Sequence, residues 1–186
     1  MKRLFAAVAI KPDEGFLKSF RGLRNSLVSE NIKWVEENNI HITIKFFGET
    51  EEQKIPGISE RLEGITKNLS SLRFSLSGIG IFGSRYEPRV VWAGIKPHEQ
   101  LAALMKETQK EMEVIGFVTD RQNIVPHLTL GRIKSLRDRQ LFQKVIDSAR
   151  NIQSDEICVG ECILFESILR REGPQYIKLA CFPFGK

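Results

Sequence analysis

Apolar residues along this chain recur at two different periods, and the switches between them mark out strands and helices in alternation. Residues 4–10, LFAAVAI, form a continuous apolar run that reads as a buried strand, closed by the polar KPDE. Between 13 and 28, Phe16, Leu17, Phe20, Leu23 and Leu27 recur at helical spacing and predict an amphipathic helix. A short strand over 32–35 follows, and EENN turns the chain into an alternating strand within NIHITIKFFGE, residues 39–49. Residues 50–69 are broadly helical, with Thr50 as the expected N-cap and Pro56 near the start of the ordered part. Residues 72–82 alternate as a strand, and 89–95, containing VVWAGI, form a more apolar one.

The second part of the chain repeats the same vocabulary. Leu101, Leu104, Met105, Met112 and Ile115 predict a helix over 97–115. Pro126 disfavours helix at Val125 and supports an extended entry into VPHLTLGR, residues 125–132. Leu141, Phe142, Val145 and Ile146 mark a helix over 137–152, and strands over 156–165 and 176–182 close the chain around the turn-rich REGPQ. Polar turn, histidine strand, helix and further strands thus occur twice, with the histidine strands about half the chain apart. That recurrence predicts one α+β domain over 1–186, built as two similar lobes around a central cleft.

Alternation decides what each histidine strand displays. Successive strand residues face opposite sides, so His41, Thr43 and Lys45 are expected on one face and Ile42, Ile44 and Phe46 on the other. In the second strand His127 and Thr129 share a face, opposed by Leu128 and Leu130. One His-x-Thr-x on a strand means little, because Thr is common in strands. Average composition puts a given His in the setting His-apolar-Ser/Thr-apolar in roughly 2–3% of cases, so two of three histidines fall there by chance on the order of once in a thousand chains. The doubling carries the signal.

Composition narrows the setting. The chain has 186 residues, 41% hydrophobic and 27% charged, an ordinary globular balance. Lys and Arg number 28 against 23 Asp and Glu, a surplus of +5 that suits an anionic partner such as RNA without identifying it. No apolar run is long enough for a transmembrane helix. The start MKRLFAAVAI has the look of a signal peptide, but KPDE stands where a cleavage site belongs, which points to a cytoplasmic protein. Cys158, Cys162 and Cys181 lack a C-x-x-C pair, arguing against a disulfide framework or cysteine-rich zinc site; all three are expected as small core residues.

Two imidazoles flanking one substrate can act as base and acid across a single displacement, and hydroxyls beside them can hold phosphate oxygens. That layout suits phosphodiester cleavage without a metal. At the level of motif the chain resembles the 2H phosphoesterase superfamily, and most closely its RNA 2′,3′-cyclic phosphodiesterase branch, also called 2′-5′ RNA ligase. The resemblance rests on HITIKFFGE and PHLTLGR, with WVEENN and LFESIL…GPQY, and runs nearly end to end. It implies two lobes with antiparallel sheets, no cofactor or metal, and opening of a 2′,3′-cyclic phosphate on RNA, tRNA fragments included, to a 2′-phosphate by a monomer. By the same resemblance His41 is the proton donor to the departing 3′-oxygen, His127 the proton acceptor that activates water, and Thr43 and Thr129 hold the phosphate. Reversal would join a cyclic end to a 5′-hydroxyl.

Other residues are weaker candidates for substrate contact. Lys45 shares His41's face under strict alternation. Arg132 follows the second motif but falls on the face away from His127, reaching the site only if Gly131 permits a bulge. Arg89, and Phe82 and Tyr86 as base-stacking rings, are further candidates, whereas His98 reads as a surface residue. Three alternatives stay open: a metal-dependent hydrolase using His41 and His127 as ligands, a non-catalytic RNA-end binder, and a 2H enzyme acting on a small cyclic nucleotide.

Overall fold

Helix boundaries follow local chemistry at the first opportunity. After strand β1 (Lys2–Ala9), Asp13 accepts a hydrogen bond from the Phe16 amide at 2.9 Å and so caps helix α1 (Glu14–Ser26). Phe16, Phe20 and Leu23, spaced i, i+4, i+7, are the buried face of that helix. The computed structural model describes residues 1–84, 86–118, 124–171 and 173–185. Glu172 of the REGPQ turn lies outside them.

The remaining elements are β2 (Asn31–Trp34), β3 (His41–Thr50), α2 (Ile55–Thr66), β4 (Leu72–Gly83), β5 (Pro88–Lys96), α3 (Glu99–Val114), β6 (Leu128–Ser135), α4 (Arg139–Ser148), β7 (Ile157–Val159), β8 (Glu161–Leu169) and β9 (Pro174–Pro183). They build two antiparallel sheets, one ordered β3-β1-β8-β9 and the other β2-β6-β5-β4-β7. Helices α2 and α3 pack together and against β9, β8 and β3, while α1 and α4 pack together, with α4 on β4. One continuous hydrophobic core runs beneath both sheets. Among the described residues no helix is long and apolar enough to cross a membrane.

The two-lobed α+β architecture expected from the sequence is therefore present, with the lobes interleaved along the chain. The lobes are not the two halves of the chain. The first sheet takes β1 and β3 from the beginning and the β8–β9 hairpin from the end, and the second takes β2 together with β4 to β7. The first sheet therefore joins both ends of the sequence, and the second inserts between its strands.

Local expectations failed in a few places. Thr50 does not cap a helix: β3 runs through it, its hydroxyl donates to the Gly48 carbonyl at 3.1 Å, and a single 3-10 turn precedes α2. Pro56 does stand in the first turn of α2. Of the three cysteines only Cys162 is buried, which pushes its thiol up to about 12; Cys158 and Cys181 are exposed, because they sit on the outward faces of β7 and β9.

One buried carboxylate ties the second sheet to its helices. Glu30, between α1 and β2, accepts hydrogen bonds from the amides of Arg137 (2.5 Å) and Asp138 (3.1 Å), just ahead of α4. Glu30→Ala leaves both donors without their acceptor. Urea denaturation is expected to register a loss of about 1–3 kcal/mol; an unchanged midpoint would mean that water replaces the carboxylate.

Candidate active site

Each histidine is fixed by the backbone beside it. His41 opens β3, and its Nδ1 lies 2.7 Å from the carbonyl of Asn39. His127 stands one residue ahead of β6, where Pro126 offers no amide to the ladder, and its Nδ1 lies 2.8 Å from the carbonyl of Val125. A carbonyl can only accept, so Nδ1 carries the proton in both rings and donates it to the residue two positions back. Each Nε2 is left for a substrate. The two lobes thus use one local device twice, and β3 and β6 approach each other across the cleft with Cα atoms within 8 Å.

Aromatic walls hold both rings. His41 rests against Phe5 (centroids 5.0 Å apart) and meets Tyr176 edge-on at 5.2 Å. Phe5 and Tyr176 belong with Ala7, Ile163 and Phe165 to a separate apolar cluster. His127 meets Phe82 edge-on at 4.7 Å, and Phe82 stacks on Trp92 at 5.2 Å. Trp92 can lie flat there because Gly80 opposes it across the ladder, where a Cβ would collide with the indole. Phe82 is therefore a wall of the site rather than a free stacking platform. Tyr86 is 79% exposed, Arg89 pairs with Glu87 at 3.1 Å, and His98 is exposed at the start of α3.

Among the register shifts of these ladders, one falls at an equivalent point in each lobe, just past the His-x-Thr pair. Opposite β1, Ala7 faces Thr43 but Ala6 faces Lys45, so Ile44 is an extra residue in the ladder. Opposite β5, Trp92 faces Thr129 but Val91 faces Gly131, so Leu130 is extra. A bulge turns everything after it to the other face. Lys45 is consequently 4% exposed on the core side, its Nζ donating to the Val118 carbonyl at 3.3 Å, and does not share His41's face. In its place Phe46 comes to the cleft side, 44% exposed, with the Arg3 guanidinium 4.8 Å above its ring.

The same shift brings Arg132 into the site. Beyond the bulge it pairs with Val90, which shares a face with Trp92 and hence with Thr129. Gly131 makes this possible in a second way, since a Cβ there would come within 2.8 Å of the Trp34 ring packed across it. His41, Thr43, His127, Thr129 and Arg132 are therefore brought to one cleft, and Lys45 is not. Tyr176, Phe5 and Arg3 were not singled out by sequence; only the cross-strand pairing of β1, β8 and β9 exposes their place.

Burial is the main influence that holds both imidazoles below their ordinary value of 6.5. The carbonyl bond at each Nδ1 opposes the shift, and the positive charge of Arg132 adds to it in both rings. Arg132 and Arg3 also reach Tyr176, whose phenol burial pushes up. One guanidinium thus acts on both histidines. Among the described residues no three His, Cys, Asp or Glu side chains gather as a metal cluster. The arrangement can place a proton donor, a proton acceptor, two hydroxyls and a cation around one anionic group.

Comparison with known proteins bears on the family and the fold. The profile of the family described as LigT like Phosphoesterase matches residues 8–92 and 95–176. A Methanothermobacter thermautotrophicus protein named RNA 2′,3′-cyclic phosphodiesterase is 31% identical over 95% of this chain and 97% of its own. An Archaeoglobus fulgidus protein of the same name is 33% identical over 97% and 99%. Among solved structures, TT0787 of Thermus thermophilus superposes with a TM-score of 0.80 at 24% identity, covering 98% of each chain. Escherichia coli LigT complexed with 3′-AMP superposes with a TM-score of 0.76 at 22% identity, over 100% of this chain and 99% of that one. Profile match, full-length relatives and a cleft with duplicated His-x-Thr-x strands agree: the chain belongs to the LigT-like phosphoesterase family.

Proposed function

We propose that this phosphoesterase opens the 2′,3′-cyclic phosphate at RNA ends, tRNA fragments among them, leaving a 2′-phosphate, without a metal and as a monomer in the cytoplasm. The observation that carries the reading is the pair of imidazoles, each with Nδ1 tied to a carbonyl and Nε2 free, on either side of a cleft entered by Arg132. The names of the full-length relatives supply the substrate class.

The step balances on this chain's own groups. Nε2 of His127 takes a proton from water as the water oxygen bonds to phosphorus. The bond from phosphorus to the 3′-oxygen breaks, and Nε2 of protonated His41 gives that oxygen a proton. Thr43, Thr129 and Arg132 hold the non-bridging oxygens, where negative charge collects in the transition state. Proton exchange with solvent then resets the two rings. With a 5′-hydroxyl attacking phosphorus in place of water, His127 taking its proton and His41 protonating the departing 3′-oxygen, the same groups form a 2′-5′ linkage.

Depressed imidazoles have a consequence for pH. His41 must start protonated and His127 neutral, and the pH dependence of kcat/KM reports the pair in the free enzyme. Both lie below 6.5, so the bell is expected to peak below pH 6.5 and to fall about tenfold per unit on its alkaline limb. An apex at or above pH 7.5 would mean that burial and Arg132 do not govern these rings.

The reading is tested by incubating a short RNA bearing a 2′,3′-cyclic phosphate with the protein in EDTA and identifying the end group. A 2′-phosphate is expected. A 3′-phosphate would reverse the assignment of the leaving oxygen, and chelator-sensitive turnover would remove the metal-free mechanism. No turnover of RNA or of a 2′,3′-cyclic mononucleotide would end the proposal.

A further inference from the structure

Beside the catalytic cleft lies a cavity of about 680 Å³ that shares Arg132 with the proposed reaction but is otherwise lined by residues the hydrolysis does not use. It begins at Arg132, Tyr176 and Asn39, the residue whose carbonyl holds His41, and extends under the β8–β9 turn to Arg170 and Gln175 and along β2 to Lys33 and Trp34. That volume is within the range of sites that hold a nucleotide-sized ligand.

Its charges are arranged unlike those of an ordinary surface. Lys33 stands directly opposite Arg132 across the β2–β6 ladder, and both are exposed. Like charges in that relation repel and destabilise a sheet, yet neither has an ion-pair partner among the described residues. Arg170 meets only the Gln175 amide among them, at 3.4 Å. The carboxylate of Glu36, also on the wall, already faces Arg24 at 3.6 Å. Three cations with no carboxylate of their own among the described residues therefore surround one cavity, with side-chain amides and two rings between them. An anion that also carries hydrogen-bonding edges and flat faces fits that set, and a polynucleotide is such an anion.

The position of the cavity identifies which part of a polynucleotide. In the proposed reaction His41 protonates the departing 3′-oxygen, and that oxygen belongs to the terminal ribose. The ribose must then lie on His41's side of the phosphorus, and the chain attached to it must leave the cleft on that side. The cavity opens there, against Asn39 and Tyr176, the neighbours of His41.

We infer that this cavity is a subsite for the RNA strand upstream of the cyclic end, with Lys33 and Arg170 holding its phosphates. The inference rests on the proposed reaction for the direction of the strand. It makes the enzyme a reader of RNA chains rather than of mononucleotides, and it places the selectivity outside the duplicated motifs.

Two readouts separate it from the reaction. The first is binding of a fluorescently labelled single-stranded RNA that already ends in a 2′-phosphate, so that no turnover is needed. The wild type is expected to bind it at least about tenfold tighter than 2′-AMP at low salt. Lys33→Ala and Arg170→Ala should each weaken RNA binding several-fold and lower the slope of log affinity against log salt by about 0.7. The second is kcat/KM on 2′,3′-cyclic AMP, which both variants should keep within about twofold. Unchanged RNA affinity and slope in both variants would overturn the subsite. Equal losses on RNA and on the mononucleotide would also overturn it, by assigning these cations to the terminal nucleotide. If the wild type hydrolyses neither cyclic substrate while RNA binding still depends on Lys33 and Arg170, the reaction fails and the RNA groove stands.

Discussion

His41→Ala and His127→Ala are each expected to lower kcat on cyclic-ended RNA by about 10²–10⁴-fold, about 3–5 kcal/mol of transition-state stabilisation. The double variant should be little worse than either single one, because in the proposed reaction the two rings serve one displacement and the loss of one leaves the other without a task. The limbs of the pH profile separate their roles. His127→Ala removes the group that must be neutral and flattens the acid limb of the residual rate, whereas His41→Ala flattens the alkaline one. Neither change should unfold the protein: both rings sit at the cleft against Phe5, Tyr176 and Phe82, outside the continuous core beneath the sheets. Thermal melts of the variants check this. Either single variant retaining near wild-type turnover would dismiss paired acid–base catalysis, and a His41→Ala enzyme that lost only its acid limb would exchange the two roles.

Those two residues were the most legible part of the chain, because a two-residue period and a rare residue type are both visible in one dimension. The helices were legible for the same reason, and Asp13 and Pro56 lie where the sequence places them. What escaped was set by pairing between distant segments. Nothing in HITIKFF announces that Ile44 is an extra residue, since the bulge is a property of β3 against β1, and it alone reverses the faces of Lys45 and Phe46. Gly131 did hint at its counterpart in the second lobe, because a close approach by a neighbouring ring leaves glycine as the residue that fits. Thr50 had the right chemistry for a cap, but the strand's hydrogen bonds claimed it before a helix could begin. The walls of the site come from β1, β4, β8 and β9, and the interleaving that joins the two ends of the chain in one sheet leaves no periodic trace.

Arg132→Ala follows from that same hidden register, and its expected cost is second only to that of the histidines. The guanidinium would contribute charge-assisted hydrogen bonds at the oxygens where charge develops, and losing such a donor is worth about 10²–10³-fold, or about 2.7–4 kcal/mol. The loss should be read in kcat/KM on cyclic-ended RNA. A second, independent signature distinguishes this role from a merely structural one. Arg132 places a positive charge near both His41 and His127 and so disfavours their protonated forms. Removing it raises both apparent values, and both limbs of the bell move to higher pH together. Lys at the same position keeps the charge but not the planar fork. Arg132→Lys should therefore restore the wild-type position of the bell while recovering only part of its height. Were alternation unbroken, Arg132 would project away from His127 and its replacement would leave height and position alike; a silent Arg132→Ala variant would mean that the bulge at Leu130 does not bring this side chain into the reaction.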